Sequence, residues 1–84
     1  MKISLNTALH MASYIECNGY EIDGFWPMLD GTARLMCGED DIAIVDATQI
    51  VDIDADGDCK AIDSEGEDLS FTFKVLHPLS EKDL

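Results

Sequence analysis

The residues best suited to chemistry in this chain are aspartates at alternate positions. Gly57 stands among them and permits a sharp turn. The set is Asp52, Asp54, Asp56, Asp58 and, further along, Asp63. Carboxylate oxygens at this spacing can converge on a hard cation when the chain turns between them. A calcium site is therefore the first chemistry to consider.

The segment resembles the first half of an EF-hand calcium loop, in which the pattern D-x-D-x-D-G supplies alternate ligands. It departs from that pattern at three positions. Cys59 replaces a branched apolar residue, Lys60 brings a cation to the ninth position, and Asp63 is shorter than the usual bidentate glutamate. The preceding residues QIVDI favour a strand, whereas a helix precedes an EF-hand loop. We therefore expect no metal or other cofactor, and keep calcium binding by the five aspartates as an alternative.

A β-hairpin explains the same residues without a metal. Residues 55–57 would form a three-residue loop with Gly57 in the left-handed conformation. The aspartates would then point to solvent, because the opposite face of the hairpin is apolar. Its facing pairs would be Ile53 with Cys59 and Val51 with Ala61.

The acidic residues are concentrated in one stretch. The chain has 18 acidic and 5 basic residues, a net charge of −13. Residues 39–68 hold twelve of the acidic residues and one lysine, which leaves −11 there. β-Branched residues are interleaved with them, so the charge is expected on folded strands. This charge excludes direct binding of a nucleic-acid backbone or an anionic membrane as the main role.

One helix and one antiparallel sheet are predicted to position these residues. Apolar residues at helical spacing predict a helix over 5–17, which Ser4 would cap and Asn18-Gly19 would end. After Gly19 the apolar period becomes two, and turn signals recur. Pro27 places the first strand at an edge. The chain is thus predicted to be one α+β domain over residues 1–84, with the helix packed on a meander of five or six strands.

The final strand of that meander shows the clearest alternation. It is predicted to end at His77-Pro78, and its apolar face consists of Leu69, Phe71, Phe73 and Val75.

The sequence offers little for catalysis. Only His10 and His77 could serve as a base near neutral pH, and no nucleophile motif accompanies them. We therefore expect that the protein is not an enzyme. Cys17, Cys37 and Cys59 are odd in number and widely spaced, which indicates reduced thiols in a cytoplasmic protein. The N-terminal residues match no signal peptide or membrane span.

The acidic stretch indicates a basic partner. Crowded charge costs stability through self-repulsion, and many basic protein surfaces are nucleic-acid-binding sites. Carboxylates on one strand face recur every ~6.6–6.8 Å, similar to the phosphate spacing of a nucleic-acid strand. The expected contact residues are Asp52, Asp54, Asp56, Asp58, Asp63, Glu65, Glu67 and Asp68.

In composition and size the chain is similar to small acidic DNA mimics of phages and mobile elements, such as anti-restriction and anti-CRISPR proteins. This likeness implies an inhibitor of a nuclease or of a CRISPR or restriction effector. An immunity- or antitoxin-like module for a basic partner is the alternative, and a purely solubilising role for the acidic face stays open. Trp26 and Met28 are expected either to pack in the core under the helix or to be exposed on an edge strand. In the second case they would form a second surface, for the partner or for a homodimer.

Overall fold

A computed structural model describes residues 1–76, and its predominant element is the strand. Strands account for 59% and helix for 9% of the residues. The described elements are β1 (Lys2–Ser4), α1 (Leu5–Met11), β2 (Ala12–Cys17), β3 (Tyr20–Glu21), β4 (Gly24–Pro27), β5 (Thr32–Cys37), β6 (Asp40–Asp46), β7 (Ile50–Asp52), β8 (Asp58–Ile62) and β9 (Asp68–Leu76).

These strands form three small sheets in place of one meander. Their orders are β1-β7, β3-β2-β9-β8 and β4-β5-β6. The prediction of one helix on a sheet of five or six strands is therefore wrong. β4 lies at an edge of its sheet, as the position of Pro27 predicts. The predicted strand end at His77-Pro78 lies outside the described residues.

The helix is shorter than predicted. Ser4 caps its start as expected, because the Ser4 hydroxyl accepts a hydrogen bond from the Thr7 N–H at 3.1 Å. The helix ends at Met11, and residues 12–17 form β2 instead of its last turns. Asn18 and Gly19 have φ of 51° and 87° and form the two-residue turn between β2 and β3. The Asn-Gly pair is thus a hairpin turn here and not a helix stop.

β9 explains why residues 12–17 are extended. It pairs antiparallel with β2 on one side and with β8 on the other, so it supplies β2 with backbone partners that a helix would not need. Its inward residues Leu69, Phe71 and Phe73 are buried, as the alternation predicts. The core is completed from all three sheets and from α1, chiefly by Leu5, Leu9, Leu35, Val45 and Val51.

Two of the three free cysteines belong to this core. Cys17 and Cys59 lie opposite Phe71 from its two neighbouring strands. Two strand spacings separate them by about 10 Å, which is beyond the reach of a disulfide. Burial raises the pKa of each thiol to about 11. Both are therefore protonated and unreactive at neutral pH.

A single side chain joins the β4-β5-β6 sheet to β8. Gln49 Nε2 donates to the carbonyl oxygens of Asp46 and Ile62, both at 2.8 Å, and Gln49 Oε1 accepts from the Ile62 N–H at 3.0 Å. Beside it, Val45 pairs with Asp63 in an isolated antiparallel bridge, and the Ser64 N–H donates to the Ile44 oxygen at 2.8 Å. This register places Asp46 beside Ile62 on neighbouring segments.

Candidate functional site

Residues 54–58 and 63–67 form two turns of the same backbone shape, which we call the first and second acidic turns. In the first, the Gly57 N–H donates to the Asp54 oxygen at 3.1 Å, and the Asp54 N–H donates to the Asp58 oxygen at 3.0 Å. The second repeats these bonds at 3.1 and 2.9 Å, with Gly66 and Asp63 in the equivalent places. Gly57 and Gly66 have φ of 88° and 86°. The predicted three-residue loop with a left-handed Gly57 is therefore confirmed.

One carboxylate in each turn organises the backbone. Asp54 Oδ1 accepts the N–H groups of Asp56 and Asp58 at 2.9 and 3.0 Å. Asp63 Oδ1 accepts two N–H groups of its own turn at 2.8 and 2.9 Å. Asp54 and Asp63 are thus structural residues as well as charges. Within the described part of the chain, no hydrogen bond or ion pair engages the carboxylates of Asp56, Glu65 and Glu67, so these are free to meet a partner.

The shared shape reflects a short repeat that sequence reasoning missed. Both turns match the pattern D-x-[D/E]-G-[D/E], and they lie nine residues apart. The repeat was visible as an acidic residue three positions before each glycine and another directly after it. The EF-hand pattern covers the first copy alone.

The strands that leave the first acidic turn do not pair with each other, so the predicted hairpin is wrong beyond its loop. β7 pairs with β1 and β8 pairs with β9. The prediction of the two faces is nevertheless confirmed, since the structure buries Val51, Ile53, Cys59 and Ala61 and exposes Asp52, Asp54, Asp56, Asp58 and Lys60. β1 and β9 provide the backbone partners that the predicted hairpin would have supplied internally.

The first acidic turn gathers its carboxylates instead of spreading them along a strand. One oxygen from each of Asp54, Asp56 and Asp58 lies within 4.8 Å of the others. The expected row of carboxylates at strand spacing therefore does not form. Asp58 also accepts the Thr72 hydroxyl at 2.8 Å.

The five aspartates proposed as alternative calcium ligands are not brought together. Asp52 lies on β7, where its carboxylate is 3.2 Å from the amino group of Met1, and Asp63 belongs to the second acidic turn. The remaining three are exposed, whereas calcium takes six to eight oxygen ligands.

The two acidic turns lie at opposite ends of β8. Four residue steps from Asp58 to Ile62 correspond to about 14 Å. Lys60 lies between them and donates to the Ser70 hydroxyl at 2.6 Å. An open groove runs along this part of the surface and is lined by Asp52, Asp54, Asp58, Lys60, Ser70 and Thr72. The site thus consists of two anionic centres with one cation between them.

All eight predicted contact residues reach the surface. Seven are exposed and Asp63 is half-buried, while Asp68 begins β9 opposite Ile62. Among the described residues, cations compensate only Asp52, through Met1, and Asp41, through Arg34 at 3.7 Å. The charge of both acidic turns is therefore available to solvent or to a partner.

Asp30 and Asp46 add two carboxylates whose ionised form is stabilised by hydrogen bonds. Each accepts the hydroxyl and the N–H of a threonine two residues later, Thr32 and Thr48, with hydroxyl distances of 2.6 Å. These hydrogen bonds, the hydroxyl bond first, hold the pKa of both carboxyls below its usual value.

The predicted second surface is exposed. Trp26 on β4 is 63% exposed, and Met28 in the following turn is 43% exposed. Sequence reasoning did not find Ile44 and Ile62, which are 39% and 50% exposed. Only their places on β6 and β8, next to the buried Val45 and Ala61, reveal that they face outward.

Comparison with protein-family models, with curated proteins and with solved structures finds no match for this chain. In the described residues, no helix has the length and apolar character needed to cross a membrane.

Proposed function

We propose that this protein is a small acidic inhibitor that binds the basic surface of a nucleic-acid-handling protein, such as a nuclease or a CRISPR or restriction effector. It acts in the cytoplasm, without a catalytic step and without a cofactor. Its contact residues are the aspartates and glutamates of the two acidic turns together with Asp52 and Asp68.

The observation that carries this proposal is the uncompensated charge of the two acidic turns. Asp56, Glu65 and Glu67 are exposed and make no side-chain bond in the described region, so folding does not account for them. Like charges held close together destabilise a small domain, and a basic partner surface relieves that repulsion. A nucleic-acid groove supplies such a surface, because its lysines and arginines are arranged to meet phosphates.

The form of mimicry differs from the linear row of charges that the sequence suggests. Two anionic centres present localised charge at either end of β8, a strand about 14 Å long. Each centre can engage a separate cluster of basic side chains in the partner. Occupation of these clusters excludes the nucleic acid, and the inhibition is competitive with duplex DNA or RNA.

An immunity- or antitoxin-like module for a basic toxin is the closest alternative, because it would use the same carboxylates. A second candidate, calcium binding, is favoured only by the convergence of Asp54, Asp56 and Asp58. The effect of calcium on the melting temperature distinguishes calcium binding from the inhibitor function.

The test compares two variants with the same change in net charge. The turn variant carries Asp56→Asn, Glu65→Gln and Glu67→Gln. The control variant carries Glu21→Gln, Glu39→Gln and Asp40→Asn, which are exposed residues on β3, in the β5–β6 turn and on β6. Neither set removes a side-chain hydrogen bond of the described structure, so both variants should fold with wild-type stability or better.

Each protein is immobilised and used to capture partners from a lysate of the organism that encodes it. We expect a basic nucleic-acid-handling protein that the wild type and the control variant retain and the turn variant loses. Excess duplex DNA should displace it, and its retention should fall as the Debye length shrinks from ~10 Å at 0.1 M salt to ~3 Å at 1 M. Equal retention by the turn variant at physiological salt would reduce the acidic turns to a solubilising role.

A further inference from the structure

Three strands align Trp26, Arg34 and Ile44 across the outer face of the β4-β5-β6 sheet, where Trp26 and Ile44 are exposed and Arg34 is half-buried. Trp26 lies opposite Arg34, and Arg34 lies opposite Ile44. Directly opposite residues have Cβ atoms about 4.5–5.5 Å apart and point to the same face. Their neighbours Ala33, Leu35 and Val45 are buried on the other face. Trp26, Arg34 and Ile44 therefore form one row, which we call the outer row.

The Val45–Asp63 bridge extends this face towards β8. Antiparallel register from that bridge places Ile44 beside Ser64 and Asp46 beside Ile62. The hydrogen bond from the Ser64 N–H to the Ile44 oxygen and the bonds of Gln49 agree with this placement. Ile62 thus continues the apolar surface that Trp26 and Ile44 begin.

Carboxylates surround this apolar surface. Asp41 lies 3.7 Å from the Arg34 guanidinium and compensates its charge, and Asp46 and Asp68 flank Ile62 on the neighbouring strands. The second acidic turn begins one residue beyond Ile62. An apolar centre with a charged rim is the usual anatomy of a protein–protein interface.

We propose that the outer row and Ile62 form the anchoring contact for the basic protein partner, while the acidic turns steer that partner into place. The inference rests on the proposed function and adds the surface that holds the complex together. A second copy of this chain would bring the same negative rim against this one, so charge complementarity selects a positively charged protein as the occupant.

The acidic turns and the outer row should affect different rate constants of binding. Exposed charges act over a Debye length and mainly set the association rate, whereas desolvated aromatic and aliphatic side chains near the centre mainly set the dissociation rate. Trp26 is the residue type most often found at such centres, and it stands on an edge strand where a partner can approach it.

The experiment uses two matched variants of the full chain. The anchor variant carries Trp26→Ala and Ile44→Ala. The control variant carries Tyr20→Ala and Leu29→Ala, which remove two exposed apolar side chains outside the outer row. Wild type captures its partner from the encoding organism's lysate, and the purified partner is measured against each variant by biolayer interferometry. Circular dichroism verifies that each variant is folded.

We expect the anchor variant to raise the dissociation rate about tenfold or more with an association rate within about twofold of wild type. The turn variant should show the reverse, and the control variant should match wild type. A wild-type dissociation rate for the anchor variant would overturn the anchoring role alone. If the turn variant has the same association and dissociation rates as wild type, the proposed function is overturned instead.

Two further outcomes have equally definite meanings. Sedimentation equilibrium that shows a dimer of the free chain, dissociated by Trp26→Ala, would assign the outer row to self-association and overturn the inference. Failure of the wild type to retain any basic protein would contradict both the proposed function and the anchoring contact.

Discussion

Replacement of Gly57 by alanine should destabilise the fold much more than the same replacement at Gly66. Both glycines hold the left-handed position of an acidic turn, with φ of 88° and 86°. Their surroundings differ, because Gly57 is buried against β9 whereas Gly66 is exposed. A Cβ on Gly57 would overlap the carbonyl oxygen of Phe73 and lie 3.2 Å from the Phe73 carbonyl carbon, whereas a Cβ on Gly66 would meet nothing within 4 Å.

The expected magnitudes follow from these contacts. A left-handed conformation costs an alanine about 1–2 kcal/mol, and this cost applies to both positions. At Gly57 the turn must also move away from β9, which strains the packing by about 1–3 kcal/mol. The same movement weakens the 2.8 Å hydrogen bond from the Phe73 N–H to the Gly57 oxygen, worth about 1 kcal/mol. Gly57→Ala should therefore cost about 3–6 kcal/mol, a large part of the ~4–13 kcal/mol expected for a domain of this size.

Urea unfolding followed by circular dichroism measures both variants. The free energies of unfolding are compared at a common slope, since a changed slope would signal a changed unfolded state. Gly66→Ala provides the control for the backbone strain alone. If the two variants lose the same free energy within about 0.5 kcal/mol, the close approach of Gly57 to Phe73 does not exist and the placement of the first acidic turn on β9 is refuted.

Three further predictions concern the acidic turns and the thiols. Asp54→Ala should lower the free energy of unfolding by about 1 kcal/mol, because two backbone N–H groups lose their acceptor, whereas Asp54→Asn keeps an acceptor oxygen and should lose less in the same urea assay. Calcium at about 1 mM should leave the melting temperature nearly unchanged relative to sodium chloride of equal ionic strength. A rise in melting temperature that is specific to calcium and is removed by Asp56→Asn would show that the carboxylates of the first acidic turn bind the metal. Burial raises the pKa of Cys17 and Cys59 from the ordinary 9.0 to about 11. Their contribution to stability should therefore be complete below pH 9 and decline as the pH rises towards 11. The urea midpoint of the Cys17→Ala/Cys59→Ala variant should fall less than that of wild type across that range.

Local sequence patterns predicted the turns and the buried face of each strand better than they predicted which strands pair with each other. The alternation in β9 and the left-handed Gly57 were both readable, since each depends on residues a few positions apart. The end of α1 was not. Ala12 and Ile15 continue a helical spacing, yet Ile15 and Cys17 equally fit the inward face of a strand. Pairing with β9, more than fifty residues away, decides between these patterns.

The sequence predicted which residues form the candidate site but not how they are arranged in space. Exposure of the eight carboxylates follows from the apolar residues between them. Their grouping into two centres depends on β7 pairing with β1 and β8 pairing with β9, which no local pattern discloses. The outward position of Ile44 and Ile62 could not be predicted either, because β-branched residues favour strands whether their side chains face the core or the solvent.

The contacts of Gln49 protect one strand edge against the addition of a second chain. A strand edge with unpaired N–H and C=O groups is a template on which a second chain can add. Gln49 donates to the oxygen and accepts from the N–H of Ile62, so its amide takes the place that a neighbouring backbone would occupy. The backbone of β8 is thereby already paired at Ile62, where an exposed apolar side chain would most favour the addition of a second chain. The negative charges beside it oppose the approach of a second copy of the chain.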